Sequence, residues 1–162
     1  MEKRDYILND AQIRQKVKRI AYEILENNLN EKLVYFGGIG ERGGLLAKLI
    51  AEEVNKLNEI KTELFSISIN KGVILGIDMH KLRNQTIIIV DDVLNTGKTL
   101  MDILVVIAAN DPRRIETCFL AQRSHRKFPV KGDYVGISMA TTFQEHICFD
   151  ASNPQNLSVY LE

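Results

Sequence analysis

The chain has little cysteine, little proline, no excess of either charge and no long apolar run, and each shortage excludes a class of protein. Its two cysteines, Cys118 and Cys148, have no metal-ligand spacing between them, which excludes a disulfide framework or a zinc site and predicts two reduced core thiols. Three prolines, Pro112, Pro129 and Pro154, fall where loops are expected, and there is no linker, repeat or low-complexity segment. Twenty-one basic residues balance twenty-one acidic ones, so no global field attracts nucleic acid or an acidic membrane; a local patch stays open. No segment approaches the ~20 apolar residues of a membrane span, and Met1-Glu2-Lys3-Arg4-Asp5 lacks an apolar signal region, so a cytoplasmic protein is expected. With 45% hydrophobic and 26% charged residues over 162 positions, one domain spanning 1–162 with a substantial core is predicted.

Hydropathy then gives the order of elements. After Asn9-Asp10, Ile13, Val17, Ile20, Ala21, Ile24 and Leu25 recur at helical spacing, and the helix ends near Asn27-Asn28. Leu33 to Phe36 reads as a buried strand, residues 37–44 as a glycine loop, and Leu45, Leu46, Leu49, Ile50 and Val54 as a helix. Strands are predicted at Thr62–Ile69, Ile87–Val90 and Ile115–Ala121, with a helix over Leu100–Ala109. Strands alternating with helices of ten or more residues imply crossover connections, hence a single doubly wound α/β domain with a mostly parallel central sheet.

The most informative stretch is Ile87 to Leu100, a β-branched run that ends in Asp91-Asp92 and passes through Asn95-Thr96-Gly97-Lys98-Thr99 into a helix. Parallel strands place ligands at their carboxyl ends, where acceptor-only carboxylates suit a diol. Amides at the start of the following helix suit a phosphate. Gly97-Lys98-Thr99 does not complete a nucleotide P-loop, because position 92, where that loop requires glycine, is Asp and would repel a triphosphate. The simpler alternative is a strand end followed by a helix capped by Thr96 or Thr99. A second anion site is expected at Gly40, Glu41, Arg42 and Gly43, where Arg42 is a bidentate phosphate donor at the end of another strand.

The stretch resembles the signature of type I phosphoribosyltransferases, which use 5-phosphoribosyl 1-pyrophosphate (PRPP) and magnesium. The resemblance implies that Asp91 and Asp92 hold the ribose hydroxyls, with magnesium bound indirectly through those hydroxyls or water. It also implies that Asn95, Thr96, Gly97, Lys98 and Thr99 hold the 5-phosphate, and that residues 40–43 hold pyrophosphate. Ile7-Leu8-Asn9, Ile20 to Leu25, Gly38-Ile39, Leu46-Ala47-Lys48, Arg123-Ser124-His125-Arg126 through Pro129 and Asp133 to Gly136 follow in the same order. Together they are similar to the family of bifunctional pyrimidine-operon regulators and uracil phosphoribosyltransferases. That family implies a PRPP-dependent transfer to a free base, uracil favoured, and a homo-oligomer.

The chain also departs from its relatives. Gly40-Glu41 stands where they carry Lys-Thr, removing a cation and adding an anion. Residues 70–84, matching the hood that closes over PRPP, are short, with Ser66, Ser68 and Lys71 as possible participants. Asn95 and Gln122 replace the Asp and Lys with which purine-salvage enzymes read N7 and the 6-oxo group, which argues against hypoxanthine and guanine. Gln122 and Arg123 are expected near the base, with Phe143 stacking on it or buried as an ordinary core aromatic. Two further readings follow: a nucleoside monophosphate sensor that no longer transfers, and an RNA-binding attenuator. The attenuator would use Arg113 and Arg114, or Arg123, His125, Arg126, Lys127 and Lys131, residues that otherwise form a solvated charged face.

Overall fold

The computed structural model describes residues 4–57, 60–70 and 73–162, so Met1, Glu2, Lys3 and the hood candidate Lys71 lie outside the described residues. Strands β1 (Asp5–Leu8), β2 (Leu33–Ile39), β3 (Lys61–Asn70), β4 (Val73–Leu75), β5 (Thr86–Leu94), β6 (Arg114–Arg123), β7 (Tyr134–Met139), β8 (Ile147–Asp150) and β9 (Ser158–Leu161) are joined by helices α1 (Asp10–Asn27), α2 (Gly40–Leu57) and α3 (Lys98–Ala108). A six-stranded sheet has the order β4-β3-β2-β5-β6-β7; β4 turns back antiparallel on β3, and the other five strands run parallel. This is the predicted doubly wound α/β architecture.

The β-branched run of β5 builds both cores. Ile88 and Val90 point to the face covered by α1 and α2, Ile87 and Ile89 to the face covered by α3. On α1 the buried residues are those picked out by spacing, and its start is a capping box in which Asn9 Oδ1 accepts from the Gln12 amide and Gln12 Oε1 accepts from the Asn9 amide, both at 2.9 Å.

Two features differ from the sequence expectation. Residues 37–44 are not a loop: Gly37, Gly38 and Ile39 finish β2, and α2 starts at Gly40. These glycines serve close packing, since a Cβ on Gly38 would lie 2.5 Å from Gly44 Cα. Beside the main sheet is a small antiparallel one, β1-β9-β8, in which Asp5 pairs Leu161 and Cys148 pairs Tyr160. It packs Phe149 and Val159 into the core of the α1 and α2 face. Cys118 is buried as expected, but Cys148 is only half-buried, because on β8 the alternate residues Ile147 and Phe149 take the inward positions.

Candidate phosphosugar site

The chain leaves β2 through α2 toward β3, but leaves the neighbouring strand β5 through α3 toward β6. The crevice between these diverging connections is the usual ligand position of an open parallel sheet. Pairing of β2 with β5 stops at Gly38↔Val90, whereas β5 continues beside β6 to Leu94↔Gln122. Asp91 and Asp92 therefore stand at a free margin of the sheet.

A cleft of about 270 Å³ opens there, lined by Arg42, Asp91, Asp92, residues 93–100, Phe119 and Ile147. All seven residues predicted to bind ribose 5-phosphate border it. Gly43 lets α2 approach this margin, since a Cβ would lie 2.7 Å from the Val90 carbonyl oxygen and 3.3 Å from Asp91 Oδ1. The Asp92 amide donates to Asp91 Oδ1 at 2.8 Å. Burial, reinforced by the Asp92 carboxylate, pushes the Asp91 carboxyl up to about 8, so the pair retains a proton near neutral pH. Arg42 Nη1 stands 3.9 Å from Asp92 Oδ2.

Gly97, at φ 86°, turns the chain into α3 and supplies no side-chain cap. The first turn of α3, from Lys98 to Leu100, lines the cleft at the positive end of the helix dipole. Thr96 Oγ1 accepts from the Lys98 amide at 3.2 Å. The Lys98 ammonium is held by Asp102 one turn along α3, at 2.5 and 2.6 Å, so Lys98 contributes chiefly its backbone to this turn.

The remaining predicted residues separate. Glu41 does not border this cleft; with Arg42, Leu45, Asp150, Ala151 and Ser152 it lines an adjoining one of about 280 Å³. Hydrogen bonds from the Ser152 hydroxyl and amide hold the Asp150 carboxyl below its usual range. Arg123 and Phe143 share a third cleft with Asn95, Thr96, Thr141 and Thr142. Phe143 is 92% exposed, so it is not a core aromatic. Gln122 borders none of these clefts; its Nε2 donates to Ser138 Oγ and its Oε1 accepts from the Gly132 amide. Ser66 and Ser68 are exposed on β3.

Sequence reasoning missed Ile147 and Asp150, which β8 brings to the site, because four-residue strands carry almost no periodic signal. Of the basic residues considered for RNA, Arg113 pairs with Glu31, and Arg114 pairs with Asn28 and with Glu116 at 3.1 Å.

The model of the phosphoribosyl transferase domain matches residues 3–151. The chain belongs to the phosphoribosyltransferase family. It is 33% identical over 164 residues to the bifunctional protein PyrR of Bacillus pumilus, covering 91% of this chain and 90% of that one. The bifunctional protein PyrR of Staphylococcus saprophyticus is 32% identical, covering 96% and 91%. Among solved structures, the hypoxanthine phosphoribosyltransferase of Trypanosoma cruzi superposes with a TM-score of 0.79 at 17% identity, covering 96% and 95%, a likeness of fold. No helix among the described residues is long and apolar enough to cross a membrane.

Proposed function

We propose that the protein transfers the 5-phosphoribosyl group of PRPP to a free base, uracil favoured, releasing pyrophosphate and forming a nucleoside 5-monophosphate. The observation that carries this reading is the placement of Asp91, Asp92 and the start of α3 around one cleft at the switch point of the sheet. The α3 amides take the 5-phosphate, the carboxylates accept from the ribose hydroxyls, and Arg42 meets the pyrophosphate side. Asn95 has no proton-accepting nitrogen or carboxylate, so it does not act as a base toward a purine.

Magnesium fits Asp91 and Asp92. Two adjacent hard-oxygen groups at an open margin suit an ion held through water and substrate oxygens. When bound, magnesium would offset the charge of the pyrophosphate.

The sensor reading has its own support. Glu41 and Asp150 put two carboxylates beside Arg42 on the pyrophosphate side, and the guanidinium is partly committed to Asp92. Glu41→Gln is expected to raise PRPP affinity by about threefold to tenfold at low salt, less at 0.5 M salt, with ribose 5-phosphate affinity unchanged. Gly40 should be left as it is, because its φ of 62° would strain the lysine found in relatives. Calorimetry with both ligands checks this; equal gains would remove Glu41 from the pyrophosphate side. The attenuator reading has less support, since Arg113, Arg114, Arg123 and Arg126 all hold intramolecular partners.

The function is tested by incubating the protein with PRPP, magnesium and uracil, orotate, hypoxanthine or guanine, and resolving products by chromatography. Uridine monophosphate is expected, dependent on PRPP and magnesium, with little inosine or guanosine monophosphate. Efficient purine nucleotide formation without uridine monophosphate overturns the base assignment. No product, alongside tight monophosphate binding, favours the sensor.

A further inference from the structure

Phe143 presents almost its whole ring to solvent from the segment between β7 and β8, beside Asn95 and Thr96 of the 5-phosphate loop. An aromatic ring on irregular backbone has no sheet ladder or core to hold it, so its placement depends on local polar anchors. Arg123, the last residue of β6, supplies two. Its Nε donates to Thr141 Oγ1 at 2.7 Å and its Nη2 donates to the Thr142 carbonyl oxygen at 2.9 Å. Glu145 closes the same turn, its Oε2 accepting from the Thr142 amide at 2.7 Å and hydroxyl at 2.9 Å.

The other side of Arg123 leads to the phosphate. Its carbonyl oxygen accepts from Arg126 Nη1 at 2.7 Å, and the Thr96 carbonyl oxygen accepts from the Lys127 and Phe128 amides, both at 3.1 Å. A continuous polar chain therefore runs from the 5-phosphate loop, through residues 126–128 and Arg123, to the turn that carries Phe143.

Resting on the phosphosugar reading, we infer that Arg123 is a positioning residue: it does not read the base, but fixes Phe143 at a set distance from the 5-phosphate loop and so adapts the site to a whole nucleoside monophosphate. Its Nε and Nη2 are spent on Thr141 and Thr142, and the fork that holds both acceptors has no equivalent in a lysine ammonium. Arg123 thus acts on the base end of the ligand only through the ring.

The test is calorimetric binding of ribose 5-phosphate and of uridine 5-monophosphate to the full chain with magnesium. Arg123→Ala should weaken uridine monophosphate by roughly fivefold or more, the scale of a lost stacking contact, and leave ribose 5-phosphate within about twofold. Arg123→Lys should not restore the loss. In a Phe143→Ala background, Arg123→Ala should add less than about twofold, because the ring it positions is gone. Thr141→Val, which removes only the Nε acceptor, should weaken uridine monophosphate in the same direction by less; it carries the test alone if Arg123→Ala is unfolded by circular dichroism.

Equal losses for both ligands, a full Arg123 effect without Phe143, rescue by lysine, or equal affinity of the parent for the two ligands overturns the inference. Failure of the parent to bind either ligand overturns the phosphosugar reading itself.

Discussion

Asp91→Asn combined with Asp92→Asn is expected to weaken ribose 5-phosphate binding about a hundredfold while the protein stays folded. At pH 9, where both are ionised, each carboxylate offers a charged acceptor to a ribose hydroxyl; hydrogen bonds to charged groups contribute about 1.5–3 kcal/mol each, so two amides in their place forfeit at least about 3 kcal/mol there. The fold survives because neither side chain carries the packing of β5, which rests on Ile87, Ile88, Ile89 and Val90. Calorimetry with ribose 5-phosphate decides this, and unchanged affinity in the folded double variant would remove the carboxylates from the site.

The same pair sets a pH dependence. The Asp91 carboxyl is raised from 3.8 to about 8 in the folded protein, so between those values the native state binds more protons than the unfolded chain. Its contribution to stability is complete below the unfolded value and is lost as pH rises through the folded one. The melting temperature should therefore fall between pH 5 and pH 9, and Asp91→Asn, having no proton to lose, should fall less steeply. Ribose binding runs the opposite way: the parent's affinity should increase from pH 6 to pH 8 as the acceptor becomes ionised. Parallel melting profiles for parent and Asp91→Asn would show that the pair carries no trapped proton.

What was legible in the sequence follows from which interactions are local. The apolar spacing of α1 and its start after Asn9 are written within one helix, and the buried positions agree with the spacing to the residue; the Gln12 half of the cap is equally local but was not read. The strand, carboxylate pair and helix start of the site form one uninterrupted segment, so the cleft at Asp91 to Thr99 was visible before any tertiary contact. Gly37 and Gly38 misled because glycine marks a flexible turn and a close backbone approach equally well, and only the partners Phe65 and Gly44 distinguish them. Pairing of Asp5 with Leu161 left no local trace at all, whereas the Lys98 and Asp102 pair, four residues apart on α3, was locally legible and went unread. Arg123 was read as a base contact from its position at the end of a strand, whereas the partners its side chain binds, Thr141 and Thr142, belong to a different loop that the local sequence could not name.

Gly97→Ala is expected to be the most damaging single substitution in the 5-phosphate loop, weakening ribose 5-phosphate and uridine monophosphate by the same factor of ten or more and lowering the melting temperature. A left-handed backbone at φ 86° costs an alanine about 1–2 kcal/mol. Its Cβ would also lie 2.5 Å from Val130 Cγ2, an overlap that costs roughly another 1–3 kcal/mol if the loop is held in place. Val130 is not free to retreat, because its amide donates to the Phe128 carbonyl oxygen and its own carbonyl accepts from Arg126 Nε. Relief must come from the loop, which turns the first amides of α3 away from the phosphate. Both ligands carry that phosphate, so both lose equally, in contrast to the selective loss expected for Arg123→Ala. Gly44→Ala is the control: it sits inside α2 with open space where a Cβ would go, and should be neutral or stabilising by up to about 1 kcal/mol. If Gly97→Ala binds both ligands as the parent does, the phosphate is not held at the start of α3.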